Sequence, residues 1–132
     1  MPPPAPTEKA PRFIVRALRN PDGANLDRVQ IIKGWLDKSG KTHEKVYNVV
    51  WSGDRRPDTN DNLPPVGDTV DLSVPTWSST IGTAQLSAVW ADTEFDPALK
   101  AFYYVRVIEI PTPRWSACDR VNVTWICRMT FP

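Results

Sequence analysis

The sequence predicts an all-β domain, an antiparallel β-sandwich of the accessory, immunoglobulin-like type with about six or seven strands and one short helical turn. Three observations carry this. Aromatic and β-branched residues recur in short alternating runs, which suit a pleated, half-buried surface. Turn signals such as Asn-Pro, Asp-Gly and Lys-Ser-Gly separate the runs. The 132 residues include 14 Pro and 6 Trp without an apolar stripe at helical spacing, so stiff loops between strands are favoured over a helical bundle.

Residues 1–11 read as a Pro-rich linker or tail, extended and without fixed contacts. Arg12 to Leu18 is the first expected strand, followed by the turn-rich Arg19 to Asn25. Leu26 to Asp37 is the second; Val29, Ile31 and Trp35 share a face that Lys33 interrupts, and Gln30 and Ile32 lie opposite. Asp37 to Gly40 is a tight turn into a third strand, Thr42 to Ser52, because the connection is short and Gly40 tolerates positive φ. Gly53 to Asp68 is a long polar loop.

Val70, Leu72 and Val74 alternate with Asp71 and Ser73, giving an expected fourth strand stopped at Pro75. Ala84 to Trp90 alternates again, although its alanines also suit a helix. Asp96-Pro97-Ala98-Leu99-Lys100 reads as a capped helical turn, with Asp96 at the cap and Pro97 at the first helical position. Ala101 to Glu109 is the strongest strand signal, expected to have both faces largely covered; Pro111 and Pro113 end it. The sandwich domain is set at residues 12–119. Residues 120–132 form a divergent tail whose alternation from Val121 to Phe131 suggests an extra strand.

Composition excludes several function classes. The net charge is +1, from Lys+Arg 16 against Asp+Glu 15, which gives no footprint for nucleic acid or an anionic membrane. No apolar run approaches the roughly 18 residues of a membrane span. The first residues lack the apolar core of a signal peptide, and the compartment is left open. A single His cannot build a multi-histidine metal centre. Cys118 and Cys127 share the last segment, and spacing alone does not fix whether they pair.

No catalytic or metal-ligating set stands out. Asp58, Asn60 and Asn62 start like a calcium loop, but Leu63 and Thr69 occupy the positions that need Gly and a bidentate Glu, so a solvated turn is the reading. His43 is taken as a surface residue; its neighbour Glu44 points to the opposite side of the strand. Trp35, Tyr47, Trp51, Trp77, Trp90 and Trp115 could form a sugar-stacking platform, but a core explains alternating strand aromatics more simply. Trp77, set among Ser and Thr, stands apart from that pattern. Arg106 interrupts an apolar strand and must find partners or reach water. Arg114 and Trp115 sit where that strand leaves the sheet. The candidate binding residues are therefore Arg106, Arg114, Trp115 and Trp77, with a structural ion pair as the competing reading for the arginines.

Several segments together carry a family resemblance: NLDRVQIIKGWLD, THEKVYNVVWSGDRRPD, LPPVGDTVDL, IGTAQLSAVWAD and FDPALKAFYYVRVIEIPTPRW. From about Phe13 to Asp119 the chain resembles the C-terminal part of the bacterial family termed domain of unknown function 3604. That family resembles the PHP-type metal-dependent phosphoesterases, in which His, Asp and Glu hold divalent metal ions that activate water. The resemblance implies a non-catalytic C-terminal fragment without cofactor, packed against an upstream catalytic body that carries the metal, in a parent protein open to export. After Asp119 the expected Trp-rich closing strand is replaced by RVNVTWICRMTFP. Two other expectations compete: a free-standing carbohydrate- or protein-binding module using Trp77 and the Asp/Asn-rich loop, and a truncated product without function.

Overall fold

The computed structural model describes residues 9–121. Five strands form two antiparallel sheets: β1 (Arg12–Leu18) with β4 (Gln85–Ala91), and β2 (Leu26–Leu36) between β3 (Thr42–Trp51) and β5 (Ala101–Glu109). The architecture is all-β, as expected, with one short helix over residues 115–121. No helix among the described residues is long and apolar enough to cross a membrane.

The core lies between the sheets. Val15, Ala17 and Leu86 from the smaller sheet meet Leu26, Val29 and Ile31 from β2, with Phe13, Val49, Val50, Ala88, Trp90 and Tyr103 packed around them. Each fully buried aliphatic side chain contributes about 1.5–3 kcal/mol. The β2–β3 hairpin closes as expected: Gly40 has φ of 82°, and the Asp37 carboxylate accepts from the Ser39 and Lys41 amides, both at 2.9 Å. These bonds hold the turn without help from the core.

The described strands number five rather than six or seven, and the difference lies at Val70–Val74. There Asp71 and Thr76 exchange backbone hydrogen bonds at 2.9 and 3.2 Å. The Asp71 carboxylate takes the Ser73 amide and hydroxyl at 2.8 and 2.6 Å. Local side-chain bonds have outcompeted a ladder, and Leu72 and Val74 are left exposed. The Asp96 segment makes a single turn, with Leu99 donating to the Asp96 carbonyl at 3.1 Å and Ala98 to its carboxylate at 2.9 Å.

The Ala101 strand keeps its expected limits but not its expected cover. Phe102, Tyr104, Val105 and Val107 are exposed because β5 is an edge strand and the smaller sheet does not extend over it. Val121 is helical, not the start of a strand. The rest of the expected tail strand, and with it any pairing of Cys118 with Cys127, lies outside the described residues.

Candidate functional site: a polar cluster under the β2–β3–β5 sheet

Most of the buried charge comes from β2. Asp27, Arg28, Gln30 and Lys33 are all buried within it, although a strand this central normally carries apolar side chains. Lys33 is the best developed case. Its ammonium donates to Asp92 at 2.5 Å and to the Glu94 carbonyl at 2.9 Å. Tyr103 on β5 donates to the same Asp92 oxygen at 2.6 Å, and the Glu94 amide caps the other at 2.9 Å. Lys33 also lies 5.4 Å from the centroid of the Trp35 ring.

A second carboxylate continues the cluster outward. Glu94 accepts from Lys45 at 2.6 Å and from the Tyr47 hydroxyl at 2.5 Å. Together these groups line a cavity of about 340 Å³ walled by Trp35, Tyr47, Phe95 and Leu99. Below it, Phe13, Trp90 and Tyr103 pack ring on ring.

The electrostatics are those of a neutralised cluster. Burial pushes the Asp92 carboxyl up, but hydrogen bonds from Lys33, Tyr103 and the Glu94 amide outweigh it, so the group is held below the usual carboxylate range. Hydrogen bonds from Lys45 and then Tyr47 likewise lower Glu94. Burial and an adjacent carboxylate raise both tyrosines, Tyr47 beside Glu94 and Tyr103 beside Asp92. Every buried side-chain nitrogen and oxygen among the described residues has a partner. The arrangement can hold strands together; its charges are consumed by one another.

A second network pins the long loop onto β2. A register shift between Leu26 and Arg28 lets two consecutive charged residues serve the loop. Asp27 accepts from Arg28 at 2.7 Å, from Arg55 at 3.0 Å and from the Val66 amide at 2.9 Å. Arg55 also reaches the Ser52 and Pro64 carbonyls. Asp58, the expected opening of a calcium loop, accepts from the Asn60 and Asn62 amides at 2.8 and 2.9 Å, closing the turn by itself. No group of three or more His, Cys, Asp or Glu among the described residues could hold a metal ion. The metal chemistry implied by the family resemblance therefore does not fit these residues.

The residues singled out from sequence are not brought together. Arg106 lies on the outer face of β5, where its Nε and Nη2 donate to Gln30 at 2.9 and 2.7 Å. Gln30 donates onward to Asn48, and Asn48 to the Asp61 carbonyl, so Arg106 ends a polar ladder across the sheet rather than an ion pair. Arg114 lies in the turn entering the helix, its carbonyl accepting from Ala117 at 2.9 Å, beside a broad cleft shared with Asp68 and Leu72. Trp115 is 81% exposed and Trp77 37%. The aromatics form no common platform: Trp90 packs on the core and Trp35 stacks on His43. His43 is half-buried rather than on the open surface, with its Nε2 2.8 Å from Asp37.

Lys33, Asp92 and Tyr103 are what sequence reading misses as a group. The available signal was the cation interrupting the apolar face of β2.

A family model described as a protein of unknown function, DUF3604, matches residues 4–129, a span that runs past Asp119 into the tail. No curated protein and no solved structure matches the chain.

Proposed function

Since this chain belongs to the DUF3604 family of proteins of unknown function, we propose that its sandwich is a non-catalytic accessory domain. It packs against a larger bacterial hydrolase body of the PHP-like, metal-dependent type. The observation that carries this reading is the bare outer face of the β1–β4 sheet. Ile14 and Val89 stand directly opposite each other in register, and they are 85% and 67% exposed. Leu18, on the same face, is 63% exposed. Arg16 and Ser87 lie between Leu18 and the Ile14–Val89 pair, so the face presents exposed apolar side chains framed by polar ones, as at a contact with another protein layer.

The internal neutralisation of Lys33, Asp92, Glu94 and the tyrosines supports the same reading, since those groups serve the fold. In the assembly, the divalent metal would be held by His, Asp and Glu of the body. Arg114 stands at the loop that leaves β5, placed for an anion or carboxylate on a neighbouring surface.

The test has two readouts. The gene upstream of Met1 should encode, in frame, a histidine-rich metal domain; a stop codon directly upstream would overturn the reading. Purified chain supplied with manganese or zinc should hydrolyse neither a phosphomonoester nor a phosphodiester, and measurable turnover would overturn the non-catalytic assignment.

A further inference from the structure

We propose that β5 is a self-pairing edge: two copies of this chain join β5 to β5 antiparallel, about a two-fold axis through Val105, into one continuous sheet. The surface is distinct from the β1–β4 face, so this inference stands apart from the accessory-domain reading.

The hydrogen-bond parity of β5 shows which backbone groups are available. The Leu36 amide donates to the Lys100 carbonyl and the Ile110 amide to the Asn25 carbonyl, so even-numbered residues of this strand face β2. In an antiparallel ladder the alternate residues then point their N–H and C=O groups away. Those are Ala101, Tyr103, Val105, Val107 and Glu109, and among the described residues β5 pairs with no strand besides β2. An open edge of this kind is a template for another strand.

The other long edge of the sheet is blunted. Glu44 and Lys45 stand side by side on β3, and charged side chains on an edge disfavour a further strand. β5 has neither proline nor bulge within it, and Arg106 is its one charge before the terminal Glu109. Its side chains are exposed on both faces: Phe102 and Tyr104 outside at 61% and 46%, Val105 and Val107 inside at 51% and 44%. The inner pair borders an open groove between β1 and β5, where the smaller sheet stops short.

A second copy fits because the strand is complementary to itself in one register. Centred on Val105, the outward-pointing residues bond in reciprocal pairs: Val105 with Val105, Tyr103 with Val107, Ala101 with Glu109. On the outer face Phe102 meets Ile108, and Tyr104 meets Arg106, an aromatic face against a guanidinium. No like charges oppose each other. A register centred on Tyr103 would set Arg106 against Lys100, and one centred on Val107 would leave the start of the strand unpaired. The isologous contact closes at two copies, since each β5 has one free edge.

Sedimentation velocity on the full chain at micromolar concentration should show a dimer; a monomer there overturns the proposal, and so do larger aggregates without a dimer. Val105→Pro removes an outward N–H that β2 does not use and should return the protein to monomer with its circular dichroism unchanged. Val107→Lys places a charge on the same edge and should do the same if the proline variant misfolds; a dimer that survives it overturns the assignment. The register is read by cross-linking. In Val105→Cys the two Cα atoms would lie about 5.5 Å apart, inside the range of a disulfide. In Val107→Cys they would lie roughly 14–15 Å apart. Mild oxidation should yield covalent dimer above the level of the unsubstituted chain only for the first, and equal cross-linking of both would overturn the register.

Discussion

β2 and β5 are hydrogen-bonded neighbours with similar sequences, each a run of β-branched and aromatic residues broken by one or two cations. Their surroundings are opposite. β2 is buried along nearly its whole length, down to Lys33 at 5% exposure, whereas most of β5 is exposed. The cations follow suit. Lys33 is buried and answered by a carboxylate, a carbonyl and an aromatic ring. Arg106 stands on the outer face, answered by one amide oxygen. Composition says that a segment is a strand; its place in the sheet decides what each side chain costs to keep.

The largest effect expected from this contrast is at Asp92. Asp92→Ala leaves the Lys33 ammonium buried without its counter-ion and removes the acceptor of Tyr103. A loss of about 3–5 kcal/mol in urea denaturation is expected. Restoring an apolar pair with Lys33→Met in the same chain should recover most of it, because both desolvation penalties are then gone. The same bond predicts an acid limit. The folded-state pKa values of Asp92 and Asp27 are depressed, so the unfolded chain binds more protons below about pH 4. Stability is present above that range and falls as pH drops through the folded values. If Arg106→Ala cost as much as Asp92→Ala, the contrast between the two strands would fail.

The next effect compares apolar side chains on the two strands. Ile31 is 1% exposed and Val107 44%. Ile31→Ala opens a cavity in the core and should cost about 2–5 kcal/mol. Val107→Ala, measured at a concentration where the protein is monomeric, should cost less than about 1 kcal/mol. Equal losses from the two would mean that β5 is covered in solution.

This contrast also shows how far the sequence could be read. The limits of β1 are legible to the residue and those of β5 nearly so, because Pro11, Asn20-Pro21 and Pro111 bracket periodic runs. The β2–β3 hairpin is legible because its pairing is local. Sheet order is not, since β1 pairs with β4 across a long separation and nothing local marks β5 as an edge. Val70–Val74 misleads because its alternation is that of a strand, while Asp71 and Ser73 satisfy the backbone within the turn. The site divides the same way. Lys33 advertises itself by interrupting an apolar face, but Asp92 and Glu94, just past the end of β4, reach it only through the fold. Arg106, Arg114, Trp115 and Trp77 draw notice by type and lie on separate surfaces.

The smallest effect tests how β2 and β5 touch. Gly34 on β2 pairs with Phe102 on β5, and a methyl group added at Gly34 would stand 2.4 Å from the Phe102 ring. The ring therefore lies across the bare backbone of β2, stacked with Tyr104 at a centroid distance of 6.4 Å. The glycine is required by this approach, not by its backbone angle. Gly34→Ala should cost less than about 1 kcal/mol, because the Phe102 ring is 61% exposed and can swing aside, set against the small gain an alanine brings in a strand interior. In a Phe102→Ala background the penalty should vanish or reverse, because the space is then empty. A penalty that persists without the ring would place the constraint in β2 itself, and the aromatic pair on the β5 edge would then owe its position to Tyr104 alone.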